Sequence, residues 1–117
     1  MAATGRGIAS SARAALLALL GAPALASPQE SVELVASRDG FRPTVVTLRK
    51  GEPARLRLST ADAEHCFAVD AFRIEKRIAP GRPTSVDLTP ERAGSFPFYC
   101  CLEPDNERLK GRIVVSE

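Results

Sequence analysis

Residues 94–103 read Gly94-Ser95-Phe96-Pro97-Phe98-Tyr99-Cys100-Cys101-Leu102-Glu103, and residues 64–67 read Glu64-His65-Cys66-Phe67. The single histidine and all three cysteines of the 117-residue chain fall within these two short stretches. Both are apolar and aromatic around their polar members, which is the composition of buried strands. Thiolate and imidazole drawn from two strands of one small β domain suit copper. In an oxidising compartment the same sulfurs would instead join the strands covalently.

The rest of the chain has the periodicity of strands. Ser31-Val32-Glu33-Leu34-Val35-Ala36 alternates polar and apolar, and Val45-Val46-Thr47-Leu48 is β-branched and follows Pro43. Ala54-Arg55-Leu56-Arg57-Leu58-Ser59 alternates again after the turn Arg49-Lys50-Gly51-Glu52-Pro53. His65 to Phe72, Thr84 to Leu88, Ser95 to Cys101 and Gly111 to Val115 complete the set. Breakers such as Ala79-Pro80-Gly81-Arg82-Pro83 separate them. About seven short strands at this spacing predict an all-β Greek-key β-sandwich.

The first 26 residues predict something other than fold. Arg6 and Arg13 precede the apolar run Ala14-Ala15-Leu16-Leu17-Ala18-Leu19-Leu20, and Ala22-Pro23-Ala24-Leu25-Ala26 ends in a small-x-small pattern. This is the tripartite form of a secretory signal peptide, with cleavage expected after Ala26. Its apolar run is too short for a stable membrane span. The expected mature domain is 27–117, periplasmic or secreted, and nothing in it calls for an oligomer. Removing Arg6 and Arg13 from the 16 Lys and Arg leaves 14, matching the 14 Asp and Glu. A neutral chain without a basic cluster argues against nucleic acid as a partner. Catalysis is not expected either: His65 is the sole imidazole, and no G-x-S-x-G elbow or phosphate loop occurs. A core this small needs help from a metal or a disulfide.

Successive landmarks carry a resemblance. Gly40-Phe41-x-Pro43, Lys50-Gly51-Glu52-Pro53, Glu64-His65-Cys66-Phe67 and Ile78-Ala79-Pro80-Gly81 come in order, followed by Gly94-Ser95-Phe96-x-Phe98-Tyr99-Cys100 and Lys110-Gly111-x-Ile113-Val114-Val115. Over residues 32–116 the chain resembles the cupredoxins, nearest in pattern to EfeO-type cupredoxin-like domains and the copper domain of cytochrome oxidase subunit II. The resemblance implies a mononuclear copper site of His, Cys, a second His and usually Met. His65 then matches the first histidine and Cys100 the thiolate ligand. Past Cys100 the pattern departs. The second histidine falls on Glu103, or on Asn106 if counted back from Lys110-Gly111, and the methionine falls on Leu109. Met1 is the only methionine. An ordinary blue-copper site is therefore not expected, nor a dinuclear one, whose cysteines would be four apart rather than adjacent.

Alternation along a strand puts neighbouring side chains on opposite faces. His65 and Cys100 are therefore expected to face the site, with Cys101 or Glu103 recruited by the loop and Cys66 nearby. The candidate metal ligands are His65, Cys100, Cys101, Glu103 and Cys66. Thiolates with one imidazole favour a single Cu(I) ion, with Zn(II) as competitor. Two functions follow as expectations. One is copper handling or electron transfer by an exported protein, working with an envelope redox or copper-trafficking partner. The other is a metal-free accessory module of an envelope complex, in which Cys66 bonds to Cys100 or Cys101.

Overall fold

The computed structural model describes residues 30–117. The expected signal peptide, 1–26, lies outside the described residues. Nine strands run in order: β1 (Glu30–Ser37), β2 (Gly40–Arg42), β3 (Val45–Arg49), β4 (Ala54–Thr60), β5 (His65–Val69), β6 (Ile74–Ile78), β7 (Thr84–Leu88), β8 (Gly94–Tyr99) and β9 (Lys110–Ser116). They form two sheets, β2-β1-β4-β7 and β3-β9-β8-β5-β6. The pairs β1/β4 and β3/β9 are parallel, and the other pairs are antiparallel. The sheets close on one another as the expected Greek-key sandwich.

The strands form where alternation lets one face go dry. In β4, Ala54, Leu56 and Leu58 are buried while Arg55 and Arg57 are exposed. Arg55 then reaches across to Asp87 of β7 with two bonds of 2.7 and 3.1 Å. In β3, Val46 and Leu48 turn inward and Val45 and Thr47 outward. β5 differs, because all five of its residues are buried. It lies between β8 and β6, and only apolar or partnered side chains tolerate that position.

Two strands escaped the sequence reading. Ile74-Glu75-Lys76-Arg77-Ile78 looks too charged for a sheet, yet it forms the edge strand β6, whose charges reach water. Gly40-Phe41-Arg42 is simply too short to show a period. The expected strand from His65 to Phe72 stops at Val69. A 3₁₀ turn over Asp70–Phe72 and Arg73 in the left-handed region (φ 56°) reverse the chain into β6.

Three rings join the sheets. Phe41 of β2 meets Phe98 at 5.1 Å and Phe67 at 6.0 Å, edge to face, and Phe67 lies 5.0 Å from Phe98. Edge-to-face pairs of this kind add stabilisation beyond simple burial. Phe98 sits opposite Gly111 of β9, where a Cβ would overlap the Phe98 ring and the Thr44 carbonyl. Gly40 has φ 135°, and a Cβ there would come within 2.8 Å of the Arg108 carbonyl. Both glycines let backbone approach the end of the sandwich that carries the histidine and cysteines.

Candidate metal centre

Phe67 and Phe98 face the interior, so alternation settles the faces of their neighbours. His65 lies two residues before Phe67, and Cys100 two residues after Phe98. Both therefore share the inner face. His65 is 4% exposed, and Cys100 is fully buried with a free thiol. Cys66 falls on the outer face of the five-stranded sheet.

The register explains the sulfur pairing. β5 and β8 are antiparallel with Ala68 opposite Tyr99. Continuing that register sets Phe67 opposite Cys100 and Cys66 opposite Cys101. Cys66 and Cys101 are in fact bonded as a disulfide, with Cα atoms 5.1 Å apart. That spacing lies within the ordinary range for a disulfide. Of the two bridges open to Cys66, the one formed uses the cysteine beyond the strand end, on the same outer face. His65 becomes the diagonal neighbour of Cys100 on the inner face.

The loop after Cys100 is closed by its own backbone. The Cys100 amide donates to the Leu109 carbonyl at 3.1 Å. Successive turns link Glu103 to Cys100, Asn106 to Glu103 and Leu109 to Asn106, each at 3.0 Å. Leu109, at the expected methionine position, is 1% exposed and belongs to the core. Glu103 is exposed, and its Oε1 accepts a 3.0 Å bond from Asn106 Nδ2. The two residues at the expected second-histidine positions thus hold each other at the surface.

His65 is fixed from the other side. Its Nε2 lies 2.8 Å from Asp62 Oδ1, and its Nδ1 is buried without a hydrogen-bond partner among the described residues. Asp62 also accepts the amide protons of Arg38 at 2.8 Å and Ala63 at 2.6 Å. The Arg38 amide, then the His65 ring and the Ala63 amide, hold the Asp62 carboxyl well below the usual carboxylate range. Sequence reading missed Asp62. The spacing Asp62-x-x-His65 was visible, but nothing in it showed that the chain folds back between them.

Among the described residues no three His, Cys, Asp or Glu side chains gather as a metal-holding group. The donor set still fits a metal in part. An unpartnered buried imidazole nitrogen and a free buried thiol share one face, and both are soft or borderline donors. The oxidised sulfurs of Cys66 and Cys101 cannot act as thiolates while bonded. Tyr99 lies on the outer face and donates to Asp70 at 2.9 Å.

Comparison with known proteins agrees with this anatomy. Cytochrome c oxidase subunit 2 of Thermus thermophilus is 28% identical over 93 residues, covering 76% of this chain and 67% of the relative. The periplasmic domain of oxidase subunit II (CoxB) of Bradyrhizobium japonicum superposes with a TM-score of 0.69 at 15% identity, covering 80% of this chain and 88% of that one. The metal-binding domain of the Cu(I)-exporting P-type ATPase CopA of Streptococcus pneumoniae D39, solved with Cu(I), gives 0.64 at 21%, covering 80% and 93%. The latter two likenesses concern the fold. A family model of the cupredoxin-like domain matches residues 10–115, and with the two-sheet sandwich and its His65 and Cys100 positions already described, the chain belongs to that family.

Proposed function

We propose that this is an exported cupredoxin-like protein that holds one Cu(I) ion through His65 Nδ1 and Cys100 Sγ, for copper handling rather than fast electron transfer. The observation that carries the reading is the buried Nδ1 with no partner, on the same inner face as the free, buried Cys100 thiol. A buried polar atom left unpaired costs about 1–3 kcal/mol, so its retention beside a thiol points to a ligand. Bound there, copper would supply a soft cation that an imidazole and a thiolate both satisfy. Reversible electron transfer fits less well, because the second histidine and the methionine of the family pattern are replaced by a surface Glu103–Asn106 pair and a core leucine.

Export by the 1–26 signal is part of the proposal. The disulfide supports it, since such bonds persist in oxidising compartments. Among the described residues no helix is long and apolar enough to cross a membrane. The partner would be an envelope redox or copper-trafficking protein.

Anaerobic Cu(I) competition against a chromogenic chelator tests the reading. Wild type is expected to take up one Cu(I), and Cys100→Ser to lose it. The double variant Cys66→Ser/Cys101→Ser is expected to keep it. Copper binding by Cys100→Ser at wild-type affinity would sink the proposal. The Cys66–Cys101 bond supports a second reading, a metal-free module stapled for an accessory role in an envelope complex. A wild-type protein with no Cu(I) uptake and an intact disulfide would establish it.

A further inference from the structure

We infer that Asp62 is a positioning residue: by accepting the Nε2 proton of His65 it fixes the tautomer that leaves a bare lone pair on Nδ1, aimed into the interior. The inference rests on the copper reading for its purpose, but its geometry stands alone. A neutral imidazole carries one proton, and the hydrogen bond at one nitrogen decides which nitrogen keeps it. Among the described residues the only partner of the His65 ring is the Asp62 carboxylate at 2.8 Å. An ionised carboxylate accepts and cannot donate, so the proton sits on Nε2. The alternative would bury an Nδ1–H with no acceptor and set a bare Nε2 against a carboxylate oxygen, and both are unfavourable.

The carboxylate is itself held in place by the β4–β5 connection. Arg38 of the β1–β2 turn donates its amide to Oδ2, and Ala63 donates its amide to Oδ1. The Asp62 amide reaches Thr60 Oγ1 at 3.2 Å, and that hydroxyl donates to the Ala63 carbonyl at 2.6 Å. Ala61 is tied to the Ala36 carbonyl at 2.9 Å. The carboxylate therefore cannot rotate away without breaking bonds to two backbone segments. A carboxylate behind a ligating imidazole orients the ring and raises its basicity, and its loss costs about 10–100-fold in metal affinity.

His65 is the only histidine, so its two ring nitrogens give the only imidazole signals in the ¹⁵N spectrum. Long-range ¹H–¹⁵N correlation on the metal-free, ¹⁵N-labelled protein reads the tautomer directly. Wild type is expected to carry its proton on Nε2, with Nδ1 bare. Asp62→Ala is expected to give a tautomer mixture and a Cu(I) affinity lower by about 10–100-fold. Asp62→Glu is expected to restore the Nε2 proton and most of the affinity. A wild-type ring with its proton on Nδ1 overturns the inference without any variant, so a variant that fails to fold does not rescue it. A shifted tautomer in Asp62→Ala with unchanged Cu(I) affinity overturns the positioning role. The expected tautomer in a wild type that binds no Cu(I) overturns the copper reading and the ligand role with it, while the tautomer assignment stands.

Discussion

The inner and outer faces of β5 and β8 carry the same kinds of side chain and put them to opposite uses. On the inner face, His65 and Cys100 are buried, and each keeps an uncommitted donor atom. On the outer face, one residue along each segment, Cys66 and Cys101 have spent their sulfurs on one another. The pleat alone separates them. Sliding both strands by one residue against the rest of the sandwich would exchange the pairs, turning the disulfide to the inner face and the thiol to the outer one. A buried imidazole with a free thiol and a covalent staple can therefore coexist within two adjacent strands because neighbouring core side chains pin the register.

That pinning is the first thing to break. Phe98 meets both Phe41 and Phe67 and fills the space above Gly111. Phe98→Ala should cost about 3–5 kcal/mol in urea denaturation, the range for removing a buried aromatic ring. A small domain has only about 5–15 kcal/mol to lose, so this variant should be close to unfolding at physiological temperature. A loss below about 1 kcal/mol would mean that the rings do not fix the inner face, and the division between the faces would need another cause.

The outer face should yield the next effect. The disulfide closes a separation of 35 residues, and chain-entropy reasoning gives it roughly 2–4 kcal/mol. Cys66→Ala/Cys101→Ala should lower the melting temperature by roughly 8–32 °C, given about 4–8 °C per kcal/mol for a domain of this size. On the proposed copper reading, Cu(I) uptake at His65 and Cys100 should survive in the folded fraction. An unchanged melting curve would mean that the bridge is no staple. Loss of Cu(I) uptake would mean that the two faces are not independent.

Much of this division was legible in the sequence. The alternation in Ala54 to Ser59 gave the dry face of one sheet, and the paired positions of His65 and Cys100 gave the inner face of the other. The choice of Cys101 over Cys100 for the disulfide was not legible, because it depends on where β8 ends. The role of Asp62 and the place of Phe41 in the core were missed for a related reason. Each acts across a turn or between sheets, and period-2 reasoning sees only one strand at a time. Glu103 looked like a ligand in the linear pattern. In the fold it is turned outward by tight backbone turns and satisfied by Asn106.

The smallest effect should come from the solvent-facing side of the far sheet. Arg55 and Asp87 make a two-bond pair across β4 and β7, but their side chains are 47% and 60% exposed. The Arg55 guanidinium, chiefly through its hydrogen bond, holds the Asp87 carboxyl below its usual value. A depressed folded-state value means that the pair contributes above the ordinary carboxyl range, near about pH 4, and that its contribution fades as the pH falls through the folded-state value. Asp87→Asn should therefore be slightly less stable than wild type at pH 7 and equally so at pH 5, with the difference narrowing in more acid solution. High salt should close it at any pH, because exposed pairs are screened. A difference that widened in acid, or exceeded that of the missing disulfide, would mean that the polar surface of this sheet contributes more than solvent exposure permits. The contrast between a committed outer face and an uncommitted inner one would then be a local detail rather than the way this sandwich is held together.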